Sequence, residues 1–379
     1  MKVPTTPAEA TTMNIKLEDK GLRLPLASGQ GYFNYFWLRD NDPTSIDPVT
    51  NERVFDISGL EGDPLPEEAR MEENTLVIRW KGEPLESRFP LDWLDAWGET
   101  AAPRDPAMIP RRAWQSGSYE QWARVSQPAL DSDPAERAKF ARALIEDGIA
   151  LVRDMEDSDE GLTRLTQVLG PITPCVDGYY FDVKLHINPT NLAYTAGALE
   201  MHTDLPSEEA APGVQFLHCR RNSVQGGLSM FVDGVAVAEA LKAEDPEAFE
   251  LLASHDIPFM RRHDGWDYRA HQRVIELDAR GEVSGVTVSQ HLADVFDLPQ
   301  DLLDRYYPAF CKFLKMLRSP EFMNTFRLNA GECIVFDNHR VVHGREAFVA
   351  TSGERHLRGC YVDRGALRST YRTLVKQGY

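Results

Sequence analysis

The chain of 379 residues carries 59 acidic and 41 basic side chains, which gives a formal net charge of −18 at pH 7. This acidic balance excludes a nucleic-acid-binding protein, because binding to phosphate backbones requires clustered basic residues. The chain is also longer than a usual single domain, so we expect one large and one smaller domain.

Short β-like segments characterise the first part of the chain. Residues 54–57 and Thr75–Trp80 are rich in β-branched and aromatic side chains and lie between turn signals, so both are predicted strands. A stretch that contains proline and arginine, residues 101–112, is interpreted as a linker. The sequence therefore predicts a small β-rich N-terminal domain, residues 1–105, and a second domain, residues 106–379.

Helices and buried strands alternate in the second domain. Asp133 precedes Pro134 as a capping residue, and the apolar residues that follow predict a helix from this point. Further helices are predicted at residues 235–241 and 301–317, and strands at residues 148–152 and 333–336. The remaining short apolar runs between turns are typical of an antiparallel barrel or jelly roll.

The helix predicted at residues 301–317 has an apolar stripe at helical spacing. The stripe consists of Tyr306, Phe310, Phe313, Leu314 and Leu317. We interpret it as a core or dimer contact rather than a ligand site.

Nothing in the composition indicates a secreted or membrane protein. The five cysteines are odd in number and lack C-x-x-C spacing, so we interpret them as reduced thiols without a catalytic role. The first twenty residues are polar and lack the apolar centre of a signal peptide. We therefore expect a cytoplasmic protein that binds neither membranes nor nucleic acid.

Metal-ligand residue types occur at His202-Thr203-Asp204 and far downstream at His343. Alternate residues of a strand point to the same side, so His202 and Asp204 can share one metal ion. His343 follows an apolar run, residues 333–336, that is typical of a buried strand. Two imidazoles and one carboxylate form the facial triad of mononuclear Fe(II) oxygenases, which leaves coordination positions for a co-substrate and O2. These three residues are therefore candidate iron ligands.

Two further residues are candidates for binding the co-substrate. Arg355 follows His343 by twelve residues, and its guanidinium could pair with the distal carboxylate of a 2-oxo acid. Arg358 is the alternative, although in a strand the two arginines would face opposite sides. Ser229 follows a Gly-Gly pair that permits a tight turn, and its hydroxyl could bind the same carboxylate. An ordinary hairpin is the other interpretation of that segment.

Several segments resemble those of one known family. They are residues 36–41, 191–195, 202–204, 217–219, 232–234, 336–338, 343–345 and 355–357. These segments resemble the γ-butyrobetaine and trimethyllysine dioxygenases of the Fe(II)/2-oxoglutarate superfamily, and the match covers essentially the whole chain. The resemblance implies a mainly β fold with flanking helices, built on a double-stranded β-helix, or jelly roll. It also implies that His202, Asp204 and His343 bind iron, that Arg355 and Ser229 bind 2-oxoglutarate, and that the protein is a homodimer.

The resemblance breaks down where the relatives hold a structural zinc ion. The relatives have closely spaced cysteines after the segment at residues 36–41, whereas this chain has Asp42-Pro43-Thr44-Ser45-Ile46-Asp47. Leu85 stands where a later histidine ligand would be expected. Closed zinc sites use Cys or His ligands. We therefore predict no zinc, and a domain that is stabilised by its own core.

The substrate pocket also departs from the family at its ammonium end. Family members surround a trimethylammonium group with aromatic rings, an arrangement that cation–π attraction favours. By position, Phe181, Tyr194 and Tyr361 supply three walls, and Asp177 stands in place of the fourth. A carboxylate would keep the preference for a cation, although a plain Asp-Gly turn is an equally good interpretation of Asp177.

At the anion end, residues 286–290 replace an asparagine-rich strand of the family. Asn191 remains as one donor to an oxyanion, and Ser289 and Gln290 are alternative donors. Because both ends of the pocket change while the iron and co-substrate residues persist, a changed substrate on retained chemistry is favoured.

The sequence therefore predicts an Fe(II)- and 2-oxoglutarate-dependent hydroxylase of a short trimethylammonium zwitterion. The changed pocket slightly favours 2-(trimethylamino)ethylphosphonate over γ-butyrobetaine. A strongly anionic phosphonate would suit a pocket arginine, yet Arg261 and His291 are interpreted as exposed residues. Less favoured alternatives are a trimethyllysine hydroxylase and a non-catalytic, ligand-binding member of the fold.

Overall fold

The structure is a computed structural model that describes residues 15–84, 86–98, 105–187, 189 and 191–379. Leu85 and residues 1–14, as well as residues 101–104 of the predicted linker, lie outside the described residues. The chain divides into two compact units, Met1–Asp105 and Pro106–Tyr379. In the described part of the chain, no helix has the length and apolar character needed to cross a membrane.

The first unit is built from short antiparallel strands and two short helices. Its elements are β1 (Lys16–Leu17), β2 (Gly21–Leu26), β3 (Gly29–Asn34), α1 (Tyr35–Asp40), β4 (Pro66–Glu72), β5 (Thr75–Trp80), β6 (Glu86–Pro90) and α2 (Leu91–Asp95). Strands β1–β3 form one sheet and β4–β6 form another. Their apolar faces share a core that includes Leu24, Phe33, Leu76, Trp80 and Phe89.

One of the two strands predicted in this region is confirmed. Thr75–Trp80 is β5, whose apolar side chains are buried. Residues 54–57 do not form a strand, so this prediction was wrong. Val54 is 67% exposed, and the Asp56 side chain accepts a hydrogen bond from the Ser58 backbone to cap a 3-10 turn at Ile57–Gly59. A local side-chain cap of this kind competes with strand pairing.

A small polar cluster is buried in the first unit. The Asp42 carboxylate accepts hydrogen bonds from the Thr44 backbone N–H at 2.8 Å and from the Ser87 hydroxyl. The indole Nε1 of Trp80 donates to Ser87 Oγ at 2.7 Å. Asp42, Ser87 and Trp80 are at most 4% exposed, so each buried polar group finds its partner within the protein. We name these three residues the Asp42 cluster.

The second unit contains two large sheets and flanking helices. Its strands are β7 (Ala123–Ser126), β8 (Ile149–Arg153), β9 (Ile172–Thr173), β10 (Phe181–Lys184), β11 (Leu199–His202), β12 (Val214–Asn222), β13 (Ser229–Asp233), β14 (Asp256–His263), β15 (Trp266–Arg273), β16 (Ile275–Leu277), β17 (Val283–Val286), β18 (Asn324–Phe326), β19 (Cys333–Asp337), β20 (Val341–Arg345) and β21 (Arg355–Val362). Its helices are α3 (Gln127–Ser132), α4 (Pro134–Glu146), α5 (Asp159–Gln167), α6 (Gly234–Glu244), α7 (Pro246–Ser254), α8 (Gln300–Leu317) and α9 (Arg364–Lys376).

The two sheets form a jelly roll. The larger sheet has the order β10-β21-β12-β19-β8-β7, with β9 beside β21, and the smaller sheet has the order β11-β20-β13-β18. Leu217 and Leu357 of the larger sheet share an apolar cluster with Phe231 and Val341 of the smaller one. This cluster lies between the inner faces of the sheets, and the predicted fold class is confirmed.

Helices cover the outer face of each sheet. Residues of α4, α5 and α9 pack on the larger sheet, and residues of α6, α7 and α8 pack on the smaller one. Asp133 caps α4 as predicted, by accepting a hydrogen bond from the Ala135 N–H at 2.8 Å. The apolar stripe of α8 is confirmed as core, since Tyr306, Phe310 and Phe313 are almost fully buried.

Candidate active site

Three residues with metal-ligand side chains meet where β11 and β20 pair. His202, the last residue of β11, is the direct cross-strand partner of His343 in β20. Asp204 lies just beyond the end of β11, and one ligand atom from each of the three residues lies within 4.8 Å of the others. Strand register therefore brings together residues 141 positions apart in the sequence. We name His202, Asp204 and His343 the metal triad.

The ring orientation of His202 is fixed by the backbone. Its Nδ1 lies 2.8 Å from the Glu200 carbonyl oxygen, so this nitrogen carries the proton and donates it. The other nitrogen, Nε2, lies 3.2 Å from Asp204 Oδ1, and His343 Nε2 lies 3.7 Å from the same oxygen. The lone pair of His202 Nε2 and the carboxylate oxygen consequently face a common point, as metal coordination requires.

The backbone of Asp204 is held by a buried asparagine. Asn338 Oδ1 accepts from the Asp204 N–H at 2.7 Å, and Asn338 Nδ2 donates to the Asp204 carbonyl oxygen at 3.0 Å. The next residue, Leu205, has a φ of 54°, a conformation that non-glycine residues rarely adopt. The two hydrogen bonds from Asn338 help to stabilise this strained turn.

Two side chains bind the second carboxylate oxygen of Asp204. The hydroxyl of Tyr361 and Nε2 of Gln215 each donate to Asp204 Oδ2 at 2.6 Å. Burial, followed by the nearby Asp204 charge, raises the pKa of Tyr361 well above its ordinary value, so its hydroxyl keeps the proton. These donors leave Asp204 Oδ1 as the oxygen that faces the two histidines, and they fix its direction.

The protonation states of the triad suit metal binding. Burial by itself raises the pKa of Asp204, but the adjacent His343 and His202 outweigh it and hold that pKa below its ordinary value. Burial, followed by proximity to His202, lowers the pKa of His343 to about 3. At neutral pH the carboxyl is therefore ionised and the His343 imidazole neutral, which are the forms that bind metals.

A buried guanidinium lies in the same cavity, where no described residue accepts a hydrogen bond from its Nε. Arg355 is 6% exposed, and its Nε has no hydrogen-bond partner among the described residues. Burial, followed by repulsion from Arg345, lowers the pKa of Arg355 to about 10, so the side chain remains charged at neutral pH. Burying an unpaired charge is costly, which indicates that an anion completes this site. Ser229, at the start of β13, lines the same cavity.

The alternative arginine is directed elsewhere. Arg358 donates to Asp159 and forms an ion pair with Asp182, and it does not line the cavity. The two arginines of β21 thus face opposite sides, as the strand alternation predicted. The Gly-Gly pair that precedes Ser229 has φ values of 80° at Gly226 and 65° at Gly227, which side chains disfavour, so the tight turn requires glycine.

Three aromatic side chains named from the sequence line the cavity with the metal triad. Phe181 and Tyr361 stack with ring centroids 5.2 Å apart, and Tyr194 stacks on the ring of His186 at 4.4 Å. A Cβ atom at Gly359 would overlap the Phe181 ring, so glycine at this position makes room for it. We name Phe181, Tyr194 and Tyr361 the aromatic wall.

Asp177 lies in an Asp-Gly turn and also faces the cavity. Arg261 donates to both of its carboxylate oxygens, at 2.7 and 2.9 Å. Glu208 lies nearby, where burial, followed by the charge of Asp177, raises its pKa. The Asp177 carboxylate is therefore already paired with a cationic side chain and is not an isolated negative charge in the cavity. Arg261, which was expected to be exposed, is instead buried and lines the cavity, so that interpretation was wrong.

The structure brings only one of the three predicted oxyanion donors to the cavity. Asn191 lines it, and its Oδ1 caps the following 3-10 turn by accepting from the Ala193 N–H. Ser289 is buried outside the cavity lining, and Gln290 is exposed. Two residues farther along, His291 lines the cavity, with its ring centroid 5.0 Å from that of His202. The sequence analysis did not point to His291, which lies in the loop that follows the end of β17 at Val286.

Comparisons with known proteins agree with this geometry. Residues 115–361 match the model of the taurine catabolism dioxygenase TauD, TfdA family. The chain belongs to the TauD/TfdA family.

Curated relatives agree with this family assignment, and a solved structure agrees with the fold. The γ-butyrobetaine dioxygenase of Pseudomonas sp. (strain AK-1) is 35% identical, over 91% of this chain and 90% of the relative. The trimethyllysine dioxygenase of Gallus gallus is 27% identical, over 98% of this chain and 90% of the relative. A crystal structure of AAD-2 in complex with Mn(II) and N-oxalylglycine has a TM-score of 0.53 at 15% identity. The structural match covers 67% of this chain and 98% of the AAD-2 chain. At this sequence identity the similarity shows the fold alone.

As a TauD/TfdA member, the protein is an Fe(II)- and 2-oxoglutarate-dependent dioxygenase. The residues fit these groups. The metal triad has the donor set that non-haem Fe(II) prefers, and the unpartnered Arg355 guanidinium matches a carboxylate. When bound, iron and 2-oxoglutarate supply the oxidising chemistry. The protein supplies the orientation of Asp204 through Gln215 and Tyr361.

Proposed function

We propose that the protein hydroxylates a small trimethylammonium zwitterion and that the metal triad holds the iron. The observation that carries this proposal is that the aromatic wall and the metal triad line one cavity. Tyr361 connects the two directly, because its ring stacks on Phe181 while its hydroxyl binds the Asp204 carboxylate. A group bound at the aromatic wall would consequently lie close to the iron site.

The aromatic wall would bind the methylated ammonium group. Each well-placed ring contributes about 0.5–2 kcal/mol of cation–π attraction, more when water is excluded. The Asp177 carboxylate also lines the cavity and offers the ammonium group a negatively charged neighbour, which Arg261 partly neutralises. Fixing the ammonium group there would place one carbon of the substrate toward the metal triad. The relatives described above are named for γ-butyrobetaine and trimethyllysine, which are both trimethylammonium compounds.

The co-substrate would be held by Arg355 and Ser229. Arg355 supplies a buried positive charge and Ser229 a hydroxyl, and both line the cavity. We propose that they bind the distal carboxylate of 2-oxoglutarate, which leaves its 2-oxo acid end to face the metal triad.

Two substrates are supported by different observations. The arginine that a phosphonate would need is present, since Arg261 lines the cavity, and this favours 2-(trimethylamino)ethylphosphonate. The relative at 35% identity is a γ-butyrobetaine dioxygenase, and this favours γ-butyrobetaine. We propose the phosphonate as the preferred substrate and γ-butyrobetaine as the second candidate.

The test is product formation measured by mass spectrometry together with succinate release. Purified protein with Fe(II) and 2-oxoglutarate is given the phosphonate, γ-butyrobetaine and trimethyllysine in parallel. The expected result is a gain of one oxygen, with the highest kcat/KM for the phosphonate. Best turnover of γ-butyrobetaine would reverse the preference between the two candidates, and best turnover of trimethyllysine would contradict both. Absence of Fe(II)-dependent 2-oxoglutarate consumption would indicate a non-catalytic member of the fold.

The sequence also implies an oligomeric state, a cellular location and a domain boundary. We propose a homodimer in the cytoplasm, with residues 1–105 and 106–379 as separate domains. Light scattering of the purified protein tests the dimer, and limited proteolysis tests the boundary between the domains.

A further inference from the structure

Arg261 presents a cationic group to the cavity, where it pairs with the carboxylate of Asp177. Its side chain is 6% exposed, and its Nη1 and Nη2 donate to the two carboxylate oxygens of Asp177. The Trp266 ring lies on another side, with its centroid 5.4 Å from the guanidinium carbon. These contacts fix the guanidinium at the cavity wall.

The other two arginines in the described lining of the cavity have other partners, either observed or proposed. Arg345 donates to the carbonyl oxygens of Ala193, Thr195 and Gly197, so it holds the loop that carries Tyr194. Arg355 is the proposed partner of 2-oxoglutarate. Among the described residues of the lining, Arg261 is therefore the cationic side chain that can meet a substrate anion.

Asp177 and Arg261 can each form further hydrogen bonds while they remain paired. A guanidinium has more N–H donors than the two that Asp177 accepts, and each carboxylate oxygen can accept a further hydrogen bond. A zwitterion can lie antiparallel to this pair, with its ammonium group toward Asp177 and its oxyanion toward Arg261. Each charge then faces an opposite one, which offsets the cost of removing it from water.

We propose that Arg261, oriented by Asp177, binds the oxyanion of the substrate and selects zwitterions over simple ammonium cations. This inference rests on the proposed function, because it concerns how the same cavity recognises its substrate. A phosphonate has more negative charge and more oxygen atoms than a carboxylate, and a guanidinium binds such groups through paired hydrogen bonds. Arg261 therefore favours a phosphonate over a carboxylate.

The test compares Arg261→Met with Arg262→Met. Arg262 is the adjacent residue of β14 and is exposed, which makes it a matched control. KM is measured by succinate formation for 2-(trimethylamino)ethylphosphonate and γ-butyrobetaine. Propyltrimethylammonium, which has no oxyanion, is measured as a competitive inhibitor of the zwitterion that wild type turns over. The KM for 2-oxoglutarate reports on the rest of the site.

We expect Arg261→Met to raise the KM for the phosphonate by about 10- to 100-fold, as for the loss of a charged hydrogen bond. The KM for γ-butyrobetaine should rise by a smaller factor. The inhibition constant of propyltrimethylammonium should stay the same or fall, because Asp177 loses its competing partner. The KM for 2-oxoglutarate should not change, and Arg262→Met should behave as wild type.

Two further variants separate anion binding from a structural role of Arg261. Arg261→Lys keeps the charge but loses the paired geometry, so it should recover part of the affinity for both zwitterions. The double variant Asp177→Asn with Arg261→Met leaves no unpaired carboxylate. Its KM values for the zwitterions should stay high, while its affinity for propyltrimethylammonium should fall below that of Arg261→Met.

Equal losses of affinity for all three compounds, or unchanged KM values for both zwitterions, would overturn this inference alone. If wild type hydroxylates neither zwitterion, the proposed function fails and this inference fails with it.

Discussion

Two buried polar clusters of this protein differ in how they complete their hydrogen bonds. In the Asp42 cluster of the first unit, each side chain binds another residue of the same unit. In the cavity of the second unit, four lining residues, Gln215, His343, Arg345 and Arg355, each have a buried nitrogen or oxygen without a hydrogen-bond partner. Within the described residues, no atom of that kind occurs in the first unit.

The Asp42 cluster therefore contributes to stability, whereas the cavity is suited to binding. A buried polar group that lacks a partner destabilises the protein. Such groups also occur in the second unit away from the cavity, at Trp122, His218 and Tyr306, but only those that line the cavity can be completed by a ligand bound there. Arg355 is the clearest case, because it is charged, buried and unpaired. The Asp42 cluster needs no ligand, since its hydrogen bonds are already made.

The largest expected effect comes from the metal triad. Asp204→Ala removes the carboxylate that Gln215 and Tyr361 orient. We expect it to lower turnover by more than about 100-fold, because loss of a metal ligand costs more than loss of a residue that only orients one. Succinate formation and Fe(II) content are the measurements. Asp297→Ala, an exposed residue outside the cavity, is the control and should retain wild-type activity. Substantial turnover by Asp204→Ala would mean that another residue binds the iron.

Arg355→Met should weaken the binding of 2-oxoglutarate without lowering the stability of the protein. We expect the KM for 2-oxoglutarate to rise by about 10- to 100-fold, whereas Arg358→Met should leave it unchanged. Without 2-oxoglutarate, the melting temperature of Arg355→Met should equal or exceed that of wild type, because the variant no longer buries an unpaired charge. A lower melting temperature would show that Arg355 is part of the protein's own structure.

Asp42→Ala should lower the stability of the protein without changing the binding of 2-oxoglutarate. It leaves the Ser87 hydroxyl without its acceptor, and we expect the free energy of unfolding to fall by about 1–3 kcal/mol. Chemical denaturation measures this change, with the exposed Asp63→Ala as control. The KM for 2-oxoglutarate should stay at its wild-type value. An undiminished free energy of unfolding would mean that the Asp42 cluster contributes no stability.

The smallest expected effect concerns zinc. We predict that a chelator leaves the unfolding of the first unit unchanged, because its Asp42 cluster and apolar core require no metal. Metal analysis of the purified protein should find no stoichiometric zinc. A chelator-sensitive unfolding transition with bound zinc would contradict this prediction.

The sequence alone determined the parts that depend on local pattern. The metal triad could be predicted from its residue types and from the spacing of His202 and Asp204. The capping by Asp133 and the apolar stripe of α8 could be predicted from helical geometry. Strand alternation predicted that Arg355 and Arg358 face opposite sides, and the structure places them so, whereas the choice of Arg355 came from the family resemblance.

Which distant residues contact each other depends on the three-dimensional fold and could not be predicted from local pattern. Arg261 contacts Asp177 across 84 positions, and Tyr361 contacts Asp204 across 157. The entry of His291 into the cavity in place of Ser289 and Gln290 likewise depends on the path of the chain after β17. Local periodicity fixes which side of an element a residue occupies. Its partners depend on strand register and loop packing, which the whole fold determines.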